Sequence, residues 1–150
     1  MTAMNVALPA WLLYAIGSAF FAALTAIFAK IGVVEMNSDL ATLIRTLIIL
    51  IVTAAIVSAR GAWQAPSALP TRAVLFLVLS GIATGLSWLC YFRALQIGPV
   101  PGVVAIDKLS VVFVVALAAL LIGERLTWQA VVGSFLVAAG ALLVSLSTPA

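Results

Sequence analysis

Polar side chains act as punctuation along this chain. Runs of about 20 apolar residues alternate with short polar breaks, and that is the length a helix needs to cross a hydrocarbon core about 30 Å thick. The runs fall at 10–29, 40–59, 73–92, 102–122 and 128–146. Stretches such as LIILIVTAAIV, from Leu47, show no apolar/polar alternation, which argues against the strands of a membrane barrel. The pattern predicts an all-α membrane protein of five transmembrane helices in a single domain, 1–150, with no soluble domain.

The breaks carry the turn chemistry. KIGVVEMNSD (30–39) joins the first pair of helices, and RGAWQAPSALPTR (60–72) joins the second and third, where Pro66 and Pro70 stop a helix from continuing. IGPVP (97–101) separates the third and fourth runs, and Pro101 suits the first turn of a helix. GERLT (123–127) joins the last two, with Glu124 and Arg125 as a solvated pair. Trp11, Trp63 and Trp128 fall near span ends, where amphipathic rings anchor at the bilayer interface.

Composition strengthens this picture. Of 150 residues, 66% are hydrophobic and 7% charged, with a mean hydropathy of +1.35. A soluble domain carries about 25% charged residues and could not clothe itself with so few. The first run has no Lys or Arg before it and no clear cleavage site after it, so it reads as a helix and not as a signal peptide. Cys90 is alone and cannot form an internal disulfide; the expectation is an inert, buried thiol. One cysteine and no histidine supply no transition-metal set. Neither a metal nor another cofactor is expected, and no nucleophile–base set suggests an enzyme. The net charge of +3 describes loop ends and not a nucleic-acid surface.

Five spans place the termini on opposite sides. Arg60, Arg72 and Arg125 share one side; Lys30 and Arg93 share the other, joined by Lys108 if it reaches the interface. Lys/Arg bias in short loops sets orientation. The near balance here slightly favours the N-terminus inside and is compatible with insertion in both orientations.

Asp107 and Lys108 then stand out, because they lie well inside the fourth run. An ionised group at mid-membrane costs about 2.5–3.5 kcal/mol, and such groups face cavities or partners. Neighbouring helical positions diverge by about 100°, so the spacing predicts that the two do not pair simply with each other. Lys108 either faces a cavity or snorkels to the interface, whereas Asp107 is too short to do the latter. Arg45, in LATLIRTLIILIV, poses the same alternatives, with Asp107 or an anionic group as candidate partners. In WLCYFRAL, Trp88 and Tyr91 share a helix face that either lines a cavity or packs in the core. Gly81 and Gly85 form a G-x-x-x-G, and Gly133 and Gly140 share a face of the last helix. Both pairs are candidates for close helix packing or dimerisation.

The run at 91–144, YFRALQIGPVPGVVAIDKLSVVFVVALAALLIGERLTWQAVVGSFLVAAGALLV, resembles the second part of an EamA-type repeat of the drug/metabolite transporter superfamily. The pattern Y-x-x-A-L appears at 91–95, the small-residue break at 98–102, G-E-x-x-T at 123–127 and G-x-x-L-x-x-x-G at 133–140. AKIG at 29–32 and Arg45 in the second helix fit the first part. Many members have proline where this chain has Ser110, and D-K-L-S resembles a half-size, five-helix subgroup of bacteria and archaea. The last helix also resembles the fourth helix of small multidrug resistance proteins. Those exporters use a glutamate in the first helix, and the first run here has no carboxylate.

The resemblance implies one half of an inverted-repeat transporter, working as an antiparallel homodimer in a prokaryotic inner membrane. Its implied function is secondary transport, with export the expected direction, of a small metabolite or drug-like solute. The substrate-pathway candidates are Lys108, Asp107, Arg45, Trp88 and Tyr91. A non-transporting membrane subunit and a component of a lipid-linked-substrate flippase are the alternatives. The lipid bilayer, a second copy and a small-molecule substrate are the expected partners, and nucleic acid is not.

Overall fold

The computed structural model describes residues 9–147, so the expected domain at 1–150 reaches past them at both ends. Six α-helices follow one another: α1 (Ala10–Val33), α2 (Ser38–Ala59), α3 (Thr71–Ile97), α4 (Val100–Asp107), α5 (Ser110–Leu117) and α6 (Trp128–Ser147). A 3₁₀ turn at Pro66–Ala68 precedes α3, and a π-helical segment at Ala118–Ile122 follows α5. Five spans are long and apolar enough to cross a membrane, the fourth being Val100–Ile122.

The ends of the helices follow from local chemistry. Asn37 caps α2, its side-chain oxygen accepting from the backbone N–H of Asp39 at 2.8 Å and of Leu40 at 3.1 Å, the usual use of Asn at a helix start. Thr127 does the same for α6, accepting from the N–H of Ala130 at 3.2 Å. Gly123, at φ 75°, supplies the left-handed turn that ends the fourth span. The loop between α1 and α2 is shorter than the break at 30–39 suggests, because α1 continues through Lys30 to Val33. α3 likewise runs past Phe92 to Ile97 and stops at Gly98 and Pro99.

The two extensions have one cause. α1 and α3 are parallel and in contact, so their C-terminal ends lie together with orphan carbonyls to satisfy. Lys30 Nζ donates to Leu95 O at 2.6 Å and to Gly98 O at 3.0 Å. Gln96 Nε2 answers by donating to Val33 O at 3.1 Å and Met36 O at 2.9 Å. Arg93 Nη1 holds Gln96 Oε1 at 2.6 Å. Each helix therefore caps the other with a side chain, around a small core of Val33, Ala41, Phe92 and Leu95.

The packing order is simple. α3 lies between α2 and α1; α1 and α3 both meet α4; α4 in turn packs on α6. α5 has α6 as its principal neighbour among the other spans. Most large apolar side chains stay exposed, from Trp11 and Phe21 to Leu120 and Leu146, as the surface of a lipid-facing bundle must be.

Two expectations need correction here, and the glycine faces are narrowed to one of their two alternatives. The fourth span is not one helix over 102–122: α4 ends at Asp107, and a turn at Lys108 and Leu109 separates it from α5. That turn closes by i→i−3 bonds, Lys108 N–H to Ala105 O and Leu109 N–H to Ile106 O, a tightening that needs neither Pro nor Gly. Cys90 is exposed on α3, not buried. Finally, a Cβ at Gly81, Gly85, Gly133 or Gly140 would meet no atom within 4 Å, so none of them serves a close helix approach within the chain.

Candidate functional site

The ionisable and aromatic residues of the spans gather in one layer. Counted at a rise of about 1.5 Å per residue, Arg45, Trp88, Tyr91, Asp107 and Lys108 lie roughly 9–14 Å from the end where α1 and α3 finish and α2 and α4 begin. α1, α3 and α4 enclose a cavity of about 280 Å³ at this depth. Trp88, Tyr91, Asp107 and Lys108 line it, with Thr25 of α1 and Ser87 of α3. Four of the five pathway candidates therefore share one cavity. Small residues of α1, Ala19, Ala22 and Ala23, form the opposite wall and leave the room.

Asp107 and Lys108 pair with each other, at 3.2 Å between Oδ2 and Nζ. This overturns the expectation from helical geometry. The 100° divergence holds only for an unbroken helix, and Lys108 sits in the turn after α4, where its long stem can fold back. The pair is half-exposed, with side-chain exposures of 51% for Lys108 and 40% for Asp107. Non-helical backbone at membrane depth is tolerated where it lines a cavity, and this turn does so.

Arg45 stands apart from the pair. Its guanidinium lies 4.1 Å from the centre of the Trp88 ring and 5.4 Å from that of Phe92. Trp88 is about two and a half helical turns deeper than the end of α3, and Phe92 is about one turn shallower than Trp88. The guanidinium sits nearer the deeper ring and lies against the aromatic face of α3. The ion pair found among the described residues is Lys108–Asp107, and Arg45 does not join it. Arg45 instead lines a separate cavity of about 340 Å³ between α1, α2 and α3.

A third cavity, about 480 Å³, lies between α3, α4 and α6. Ser87, Tyr91 and Asp107 line both this space and the 280 Å³ cavity. Thr25 likewise belongs to both the 280 Å³ cavity and the Arg45 cavity. The three spaces thus lie side by side across the bundle, with Tyr91 and Asp107 at one partition and Thr25 at the other.

Trp88 and Tyr91 take both roles that their shared face allowed: they line the cavity, while Tyr91 packs against the core and Trp88 carries Arg45. Sequence reasoning missed Thr25 and Ser87, which carry no charge to mark them. It also missed the partners of Lys30 and Gln96. The signal there was a basic residue in the last turn of a helix, where it can bind end carbonyls.

Against this geometry, comparison with known proteins is decisive. The profile of the EamA-like transporter family matches residues 9–146. The chain belongs to the EamA-like transporter family. It is accordingly a multi-pass membrane transporter of the drug/metabolite superfamily and not an enzyme. A protein of Sinorhizobium sp., described as an uncharacterized transporter in the cobO 3' region, is 56% identical over 135 residues, covering 90% of this chain and 96% of that protein. No solved structure matches the chain. In this EamA-like protein the family pattern occupies residues 9–146.

Proposed function

We propose that this EamA-like protein is a secondary transporter that exports a small metabolite or drug-like solute through the cavity lined by Trp88, Tyr91, Asp107 and Lys108, working as an antiparallel homodimer in a prokaryotic inner membrane. One observation carries the reading: a broken fourth span brings its two charged residues into one cavity lining with aromatic side chains. Discontinuous helices beside a central site are a recurring transporter plan. The Asp107–Lys108 pair presents one acceptor and one donor group to a solute, which suits a polar or zwitterionic molecule. Rearrangement of the pair supplies a means to open and close the partition that Tyr91 and Asp107 make with the 480 Å³ cavity.

Loop charge supports a second copy. Lys30 is tied to the end of α3, and Lys108 is held at cavity depth. The interfacial cations are then Arg60, Arg72 and Arg125 on one side against Lys30 and Arg93 on the other. Such a weak bias admits both orientations. The glycine faces at Gly81/Gly85 and Gly133/Gly140, unused inside the chain, are free for contact between copies.

The test is solute uptake into proteoliposomes made with the wild type and with Lys108→Ala. The variant is expected to assemble as the wild type does, by size-exclusion chromatography in detergent, and to lose transport. Normal transport by Lys108→Ala would sink the proposed pathway.

A further inference from the structure

We infer that the Arg45 cavity is a binding site in its own right, for a small organic anion with an apolar body that arrives from water. This deepens the transport reading by naming the ligand chemistry at one end of the row of cavities.

Two features of Arg45 carry the inference. The first is its charge. Asp107 neutralises Lys108, but among the described residues no carboxylate pairs with Arg45 and no hydrogen bond engages its guanidinium. A cation within a span carries an insertion cost, and a cation–π contact offsets only part of it. An anion that accepts two parallel N–H bonds from the guanidinium makes up the difference, and the planar fork fits a carboxylate. The donors are not sealed off, since among the described residues no buried side-chain nitrogen is left without a partner.

The second feature is the space in front of it. Phe28, Gly32 and Met36 of α1 and its loop line the cavity, with Ile44 of α2 and Phe92 of α3. These residues run from the helix ends, at the water interface, down to Arg45. The walls are apolar and the cation is at the floor, so the anionic group of a ligand is drawn inward while its body lies against Phe28 and Ile44. A volume of about 340 Å³ is at the small end of ligand pockets, and it is too small for a two-chain lipid. The Trp88 and Phe92 rings contact the guanidinium at 4.1 and 5.4 Å from their centres, which positions it before the ligand arrives.

The experiment uses the full-length protein in phosphatidylcholine nanodiscs, with empty discs as the reference. Isothermal titration compares 1-naphthoate with its neutral isostere, 1-naphthamide. The acid is expected to bind at least about tenfold more tightly than the amide, because a charge-assisted bidentate pair is lost in the amide. Arg45→Gln is expected to erase that preference. Arg45→Lys, which keeps the charge and the ring contact but not the fork, is expected to weaken the acid severalfold. Gly32→Leu offers a route that leaves Arg45 intact: Gly32 lines the cavity and a Cβ there meets nothing within 4 Å, so the larger side chain should occupy the space, and binding should fall. Equal binding of acid and amide to the wild type would overturn the site even if both Arg45 variants failed to assemble. Loss of naphthoate binding when phosphatidylglycerol is added to the discs would also overturn it, by giving the cavity to a lipid headgroup. If naphthoate binds through Arg45 but the Lys108→Ala variant transports normally, the site stands and the pathway fails. If transport depends on Lys108 but naphthoate ignores Arg45, the pathway stands and the site fails.

Discussion

Replacing Lys30 by methionine tests the clamp that joins α1 to α3. Methionine keeps most of the stem's apolar contact and removes the ammonium. Two hydrogen bonds are lost, to Leu95 O at 2.6 Å and Gly98 O at 3.0 Å. Hydrogen bonds between membrane helices average about 0.6 kcal/mol and reach about 1.7 kcal/mol, while bonds from charged donors in proteins contribute about 1.5–3 kcal/mol each. Lys30 is half-buried, which favours the lower part of that range. The expected loss is therefore about 1–3 kcal/mol for the pair. The assay is equilibrium unfolding of the purified protein in mixed micelles, titrated with SDS and followed by far-UV circular dichroism. Gln96→Leu removes the answering bonds to Val33 O and Met36 O and should cost a similar amount. The double variant should lose less than the two single losses together, because either change already frees the same pair of helix ends. A Lys30→Met protein within about 0.3 kcal/mol of the wild type would refute the clamp. The junction would then rest on the packing of Val33 and Leu95 alone.

Other predictions follow from single observations. Gly98→Ala should destabilise by about 1–3 kcal/mol, since its Cβ would sit 3.0 Å from Ala94 O and 3.1 Å from Val103 Cγ2; Gly32→Ala, with open space around it, should lie within about 0.5 kcal/mol of the wild type in the same titration. Gly123→Ala should cost about 1–2 kcal/mol, because the left-handed backbone at φ 75° disfavours a side chain; an unchanged midpoint would count against the turn. Cys90 is exposed and lines the 480 Å³ cavity, so a small maleimide should label it in proteoliposomes and a transported solute should slow the reaction; labelling that no solute affects would separate this space from the pathway. Reporters active only in the cytoplasm or only outside it, fused after Ala150 at low expression, should both work if the chain inserts in two orientations; activity of only one would exclude the antiparallel homodimer.

The layer at Asp107, Lys108 and Arg45 shows where reading from sequence stops. Charged residues inside apolar runs were visible at once, and so was their approximate depth, because depth along a helix is counted from its ends. Their partners were not visible. The expected separation of Asp107 and Lys108 failed because a turn without Pro or Gly breaks the fourth span there. Arg45 was left between snorkelling, pairing and ligand binding, and the position of α3 decided that it lies over Trp88 and Phe92. Lys30 was legible as an interfacial charge, but not the two carbonyls that the parallel ends of α1 and α3 give it.

The sequence by itself determined the membrane class, the five spans and the breaks between them, because the length of an apolar run and the chemistry of its ends are local properties. The resemblance of its motifs to the EamA-type repeat likewise needed only the order of residues, and the family match at 9–146 agrees with it. Which faces meet was decided by the tertiary structure alone. A helix that is apolar almost all round carries no stripe to say which side turns inward. The rotation of each span, and with it the cavity shared by Trp88, Tyr91, Asp107 and Lys108, was set by packing against α1, α3 and α6.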